Sequence, residues 1–251
     1  MNTISIAGQS FKAPSSWEEL TYKQLLMWVK IISKDITLDE AFSVAVVVFY
    51  GIPKKLFFSL NPVQKFELKE TLTFLYGENK LVTWLVPFFQ IRFRKYTGPE
   101  NRLSNSTIKE FRHTEMYYNA YNRNKNPKFL DLLIATLYRP KAKVLQGNDL
   151  REPFSEIRIR SKASSMRNLS NPLRSAILFN YEGCRNFIFK KYPMIFKPGA
   201  KKSDAIPDME DLIKTVAGAK FGNFNETETT GIYLFLDDLK DKIEEYERNQ
   251  K

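Results

Sequence analysis

Apolar residues recur at helical spacing along most of the chain. Leu25, Leu26, Val29 and Ile32 repeat three and four residues apart behind Thr21-x-x-Gln24. In that pair the Thr side chain satisfies a free N–H of the first turn and the Gln side chain returns the bond, so a helix is predicted from Thr21. Thr37-x-x-Glu40 predicts a second helix through residues 41–49, halted at Gly51-Ile52-Pro53. It is apolar nearly all round and so belongs in a core. Asn61-Pro62 predicts a third, with Gly77 closing it. Thr107-x-x-Glu110 opens a helix holding Phe111, His113, Tyr117, Tyr118 and Tyr121, and Asn126-Pro127 opens the next, residues 129–138, which stops at Arg139-Pro140. Their short connection predicts a helical hairpin. Asn171-Pro172 opens a long helix through Leu173, Ile177, Tyr181 and Cys184 toward Tyr192-Pro193. Pro207 is predicted to begin another, ended by Gly218 or Gly222. The last helix is predicted from about Glu228 to Arg248, with Ile232, Phe235, Leu236, Leu239 and Ile243 on one face.

Two stretches follow period two instead. Residues 3–13 alternate around Gly8 and predict a hairpin. Phe89, Ile91 and Phe93 alternate with Gln90, Arg92 and Arg94, which predicts one strand with a wet, basic face, pairing with the N-terminal hairpin. Residues 141–153 read as an exposed connection, residues 156–160 alternate weakly, and residues 198–203 read as a loop and candidate linker. The expected fold is mainly α: a helical domain over residues 1–140 with a small β element (the hairpin plus a strand near 88–95), then a basic helical region and acidic C-terminal helices over 141–251, separate from the first or packed on it.

With 43% hydrophobic and 14% aromatic residues in 251, the chain has the material for a core and is not a disordered polymer. The net charge of +11 is unevenly spread. Residues 1–91 carry 9 Lys+Arg and 8 Asp+Glu, residues 92–202 carry 24 and 8, and residues 203–251 carry 6 and 12. A basic middle suits phosphates. It also suits the acidic tail of the same chain or of a second copy, which makes a homo-oligomer an expectation. Arg92, Arg94, Arg158, Arg160 and Arg167 are the candidate basic surface, although no nucleic-acid-binding motif accompanies them. The most apolar run, residues 41–50, is far shorter than the roughly 20 residues a membrane span needs, and no basic, then apolar leader opens the sequence. A cytoplasmic protein without a membrane partner is expected.

The chemistry-bearing residues are few. One Cys (Cys184) excludes a disulfide scaffold and a Cys-rich zinc site; one His (His113) excludes a His cage. Glu115 is two residues from His113, on a different face of the same helix, and is badly placed to orient it. No G-x-x-x-x-G-K-[ST] or G-x-G-x-x-G loop occurs. Adjacent carboxylates such as Glu18-Glu19 and Asp237-Asp238 do not converge as a two-metal centre requires. Neither catalytic residue, cofactor nor metal is expected. Tyr117, Tyr121 and Tyr138 lie near arginines, a combination used for base stacking and protein interfaces but also for plain packing.

Three segments carry a family resemblance. They are Ser16-Trp17-Glu18-Glu19-Leu20-Thr21; Thr107-Ile108-Lys109-Glu110-Phe111 with Leu130-x-x-Leu133-Ile134-Ala135-Thr136-Leu137-Tyr138-Arg139-Pro140; and Phe221-Gly222-Asn223-Phe224 ahead of a closing helix with Leu236 and Glu244-Glu245. This arrangement resembles tail-region proteins of tailed bacteriophages, in particular tail assembly chaperones. The resemblance implies a non-enzymatic, protein-binding role in the host cytoplasm during assembly, or in the virion, with the tape measure or tube as partner. It does not account for the Lys- and Arg-rich stretch over residues 151–202. Trp17, Tyr117, Tyr121, Tyr138 and Arg139 are its candidate partner-binding residues. A basic nucleic-acid-binding protein or a structural virion component is the alternative.

Overall fold

The computed structural model describes residues 1–146, 149–196, 209–218 and 220–249. The predicted loop over 198–203 and the helix start at Pro207 lie outside them. The fold is mainly α with a small β element, and the chain divides into two compact units.

The first unit holds residues 1–86 and 170–183. Strands β1 (Asn2–Ile6) and β2 (Gln9–Ala13) form an antiparallel hairpin around Ala7-Gly8, in register from Asn2↔Ala13 to Ile6↔Gln9. Both turn residues have positive φ, which Gly8 adopts freely. Helices α1 (Tyr22–Ile32), α2 (Leu38–Tyr50) and α4 (Pro62–Glu70) each start with the reciprocal cap the sequence announces, at Thr21, Thr37 and Asn61; α3 (Lys54–Ser59) stands between the last two. Gly51 ends α2 in the left-handed conformation. Helix α4 stops at Glu70, and a 3-10 turn over Thr73–Tyr76 precedes Gly77. The core is aromatic: Trp28 lies edge-on to Phe42 and Phe49, and Phe42 stacks on Tyr76 at 3.6 Å.

Residues 79–86 have no regular structure, yet Leu81, Val82, Trp84 and Val86 are buried. Buried backbone needs partners, and helix α8 (Asn171–Lys191) supplies them. Fully buried Asn180 accepts from the Leu85 N–H at 2.8 Å and donates to the Thr83 carbonyl at 2.9 Å. Asn79 donates to the Phe179 carbonyl at 2.6 Å. A Cβ at Gly183 would stand 2.3 Å from the Leu81 carbonyl oxygen, so only glycine lets helix and segment approach this closely.

The second unit holds residues 87–169 and 184–251. Its antiparallel sheet has the order β3-β4-β5-β6, from β3 (Phe88–Ile91), β4 (Arg94–Thr97), β5 (Arg139–Gln146) and β6 (Asp149–Arg151). The single strand expected near 88–95 is a hairpin reversing at Arg92-Phe93. Its ladder continues from Tyr96 and Thr97 to Pro140 and Arg139 rather than to the N-terminal hairpin. Because this pairing crosses residue 140, a domain boundary there would cut the sheet. Residues 141–153, expected as an exposed connection, hold β5 and β6, and Arg151 is buried. Helices α5 (Ile108–Asn124) and α6 (Pro127–Leu137) form the predicted helical hairpin, joined through left-handed Lys125. The weakly alternating residues after Ser155 form α7 (Glu156–Ala163). Helix α9 (Met209–Val216) precedes the C-terminal region. That region is split into α10 (Phe224–Glu228) and α11 (Ile232–Asn249). Backbone bonds from Ile108 N–H to the Thr230 carbonyl and from Ile232 N–H to the Ser106 carbonyl, both 2.9 Å, interrupt the helix between them.

Asn180→Ala should destabilise the first unit by about 1–3 kcal/mol for each backbone group left unpaired, read by urea unfolding, whereas exposed Lys128→Ala should shift the midpoint little. Glu19 gives a pH-dependent counterpart. The amino terminus and both the N–H and hydroxyl of Ser15 donate to it, and they hold its carboxyl down at about 2 from an ordinary 4.5. A folded-state value below the unfolded one gives stability that is complete above the unfolded value and lost as pH falls toward 2. Glu19→Gln should therefore flatten the acid limb of the melting temperature against pH.

Candidate functional site

The second unit brings two carboxylates and two guanidinium groups from α5, β5 and β6 together in its interior. Thr107 caps α5 by accepting from the Glu110 N–H, but the return bond of a capping box is absent. The Glu110 side chain points inward instead. Its Oε1 meets Arg139 Nη2 at 2.7 Å and its Oε2 meets Arg151 Nη2 at 3.0 Å. Asp149 closes the group, 3.1 Å from Arg139 Nη2 and 2.9 Å from Arg151 Nε. Arg151 also donates to the carbonyls of Leu137 and Asn105, and Arg139 to that of Thr136. Burial opposes the charge of Arg139 and holds it below its ordinary value against the pull of Glu110. Burial opposes Arg151 too, but Glu110 and Asp149 outweigh it and raise it. Two cations and two anions cancel here, and the carbonyls take up further donors, so the group is suited to locking four elements together. Buried ions of this kind are tolerated only when paired; in this group only Arg139 Nε is buried without a hydrogen-bond partner among the described residues.

Other buried carboxylates of the unit are paired as well. Arg185 Nε grips Glu115 at 2.8 and 3.0 Å, Arg167 reaches Asp131 at 3.2 Å, and Lys109 reaches Glu228 at 2.8 Å. His113 is engaged at both nitrogens, with Nδ1 2.9 Å from the Lys109 carbonyl and Nε2 3.1 Å from Glu156; its ring lies 4.9 Å from that of Phe154. Cys184 is fully buried, and burial pushes its thiol up to about 12. Among the described residues no group of three or more His, Cys, Asp or Glu side chains is placed to hold a metal ion, and no helix is long and apolar enough to cross a membrane.

Four of the five residues expected to bind a partner face inward. Trp17 is buried between Phe74 (5.3 Å, edge-on) and Phe179 (5.4 Å). Tyr138 is buried 4.6 Å from Phe89, Tyr117 is buried on α5, and Arg139 belongs to the ion-pair group. Spacing identified them as aromatic or cationic but could not tell packing from docking; here packing wins. Tyr121 is half-buried beneath Lys125. The five expected surface arginines are all exposed. Arg158 and Arg160 lie 3.7 Å from Glu152 and Glu156, and Arg167 holds Asp131. Arg92 and Arg94 make no ion pair among the described residues.

The surface contributes residues that sequence reasoning did not single out. In the first unit Phe58, Val63 and Phe66 are 72, 64 and 61% exposed. Val63 and Phe66 share one face of α4. The neighbouring face of that helix borders a cavity of about 400 Å³ with a mixed lining, Ile4, Ile6, Leu60 and Leu68 beside Ser5, Gln64, Glu67 and Thr71. The available signal was the pair Phe57-Phe58: neighbours in a helix point different ways, and Phe57 takes the inside. In the second unit Phe93, expected on the dry face of a strand, stands fully exposed at the hairpin turn. No family model, curated protein or solved structure matches the chain.

Arg151→Ala should cost about 3–5 kcal/mol of unfolding free energy in a denaturant titration, because it strands buried carboxylates, whereas Arg158→Ala should cost under about 0.5. Cys184 should resist a thiol-specific chromogenic reagent in buffer and react fully once unfolded; rapid labelling of the folded protein would contradict its placement.

Proposed function

We propose that this protein is a non-enzymatic assembly factor that works by binding other proteins, in the manner of phage tail assembly chaperones, with a tape-measure or tube protein as partner. The observation that carries the reading is the exposed apolar surface of the first unit. Phe58, Val63 and Phe66 stand in water on α3 and α4 of this unit, and exposed apolar side chains gathered on neighbouring helices are the chemistry of an interaction site. Exposed Val63 and Phe66, three residues apart on α4, can pack against the apolar face of a partner helix. The engagement of His113 and Cys184 in internal packing supports the same reading, since a nucleophile or general base must be free to meet a substrate.

The test is co-expression with any long, mostly helical tape-measure-type product of the neighbouring reading frames. The full-length protein should capture it, and Phe58→Asp with Phe66→Asp should abolish capture while the circular dichroism spectrum and melting temperature stay unchanged, because both rings are already in water. Equal capture by wild type and double variant would remove these exposed rings from the account. Light scattering at low and high salt reads the accompanying expectation of a homo-oligomer; a monomer under both conditions would contradict it.

A further inference from the structure

We propose that the β3–β4 hairpin, with β5 beside it, forms a binding edge for single-stranded nucleic acid, an activity beyond the protein-binding role proposed above. The hairpin tip reads Arg92-Phe93-Arg94. Phe93 is 102% exposed, so both faces of its ring are open. Arg92 holds the left-handed conformation (φ 53°), uncommon for a residue with a side chain. The tip is nevertheless fixed: the ladder runs unbroken from Phe88↔Thr97 to Ile91↔Arg94, and Gln90 Nε2 donates to the Arg92 carbonyl at 2.9 Å. An apolar ring held in water on a strained but rigid turn serves no packing role within the unit. On the same hairpin Phe88 is half-exposed, with Lys95 Nζ 3.8 Å from its ring centroid.

The charge around these rings names the ligand. Strands β3, β4 and β5 contain no Asp or Glu, and neither does the Arg92-Phe93 turn. Arg92, Arg94, Lys95, Lys141 and Lys143 are exposed on them, and the two arginines lack ion-pair partners among the described residues. Five cations over three neighbouring strands, without one carboxylate, suit an extended polyanion better than a single acidic pocket on a protein. Rings add a requirement for flat partners, which bases meet. Bases of a duplex are already stacked on one another, whereas those of a single strand are free to stack on Phe93 and Phe88 while phosphates meet the arginines.

The experiment is fluorescence anisotropy of the full chain with a labelled oligothymidine of about 15 nucleotides, a duplex of equal length and a polyglutamate peptide. The single strand should bind most tightly, with affinity falling steeply in salt. Phe93→Ala should weaken it about tenfold at an unchanged salt slope, and Phe93→Trp should restore it. Arg92→Ala with Arg94→Ala should reduce the slope of log affinity against log salt by about 1.4. All three changes lie at an exposed turn, and circular dichroism checks that the fold survives. Absence of binding at low salt, binding indifferent to Phe93→Ala, or polyglutamate bound as tightly as the oligonucleotide would each overturn the proposal, the last in favour of an acidic protein partner.

Discussion

The neutral group formed by Glu110, Asp149, Arg139 and Arg151 is the constraint around which the second unit is arranged. Taking an ion out of water costs several kcal/mol, recovered only when opposite charge and oriented dipoles surround it. The group meets that condition at every charged atom but Arg139 Nε by drawing on the start of α5, the end of α6, the strand that follows and β6, together with the carbonyls of Asn105, Thr136 and Leu137. None of these elements can shift alone without exposing an unpaired charge to an apolar interior. A loose coil after α6 is thereby converted into two strands whose ends have a required position.

The same principle sorts the charge of the chain. The first unit carries 10 Lys+Arg against 9 Asp+Glu and the second 29 against 19. Within the second unit Glu110, Glu115, Asp131 and Glu228 are taken inside and neutralised by arginines and a lysine. Internal pairing consumes carboxylates as fast as cations, so the excess of positive charge has nowhere to go but outward. The unit that needs buried ion pairs for its core is therefore also the one with a cationic exterior.

The helices were legible because their signals are local. Thr21, Thr37 and Asn61 each bond a group three residues away, and at these three caps no distant contact displaces that bond. Thr107-x-x-Glu110 shows where legibility ends: the helix starts as read, but the Glu side chain is claimed by arginines 29 and 41 positions along the chain. Strands β5 and β6 were illegible for the same reason. Residues 140–144 alternate and Gly147-Asn148 follows them, but the run is short and its lysines read equally as a surface loop, and the partners that make it a strand lie in β4 and β6. Arg92-Phe93 reverses the chain without Gly, Asn or Asp, so period two ran on through the turn and placed Phe93 on the wrong side. The exposure of Arg92 and Arg94 was legible, while that of Phe93, Phe58 and Phe66 was not, since an aromatic ring at regular spacing is written identically whether it faces core or water.

That ambiguity bears on how surface chemistry is to be read in a chain with few reactive groups. Trp17 and Tyr138 looked like contacts because they sit in the most distinctive segments, but distinctiveness there arises from packing: Trp17 is closed between two rings, and Tyr138 leads from α6 into β5 with its ring on Phe89. The residues left facing water are those whose removal costs the fold least, Phe58 and Phe66 on short helices and Phe93 at a two-residue turn. A fold gains little by keeping three phenylalanines in such positions, since rings this exposed are nearly as hydrated folded as unfolded. These rings are the surface on which the two proposals rest, an apolar partner for the near-neutral first unit and an anionic one for the cationic second.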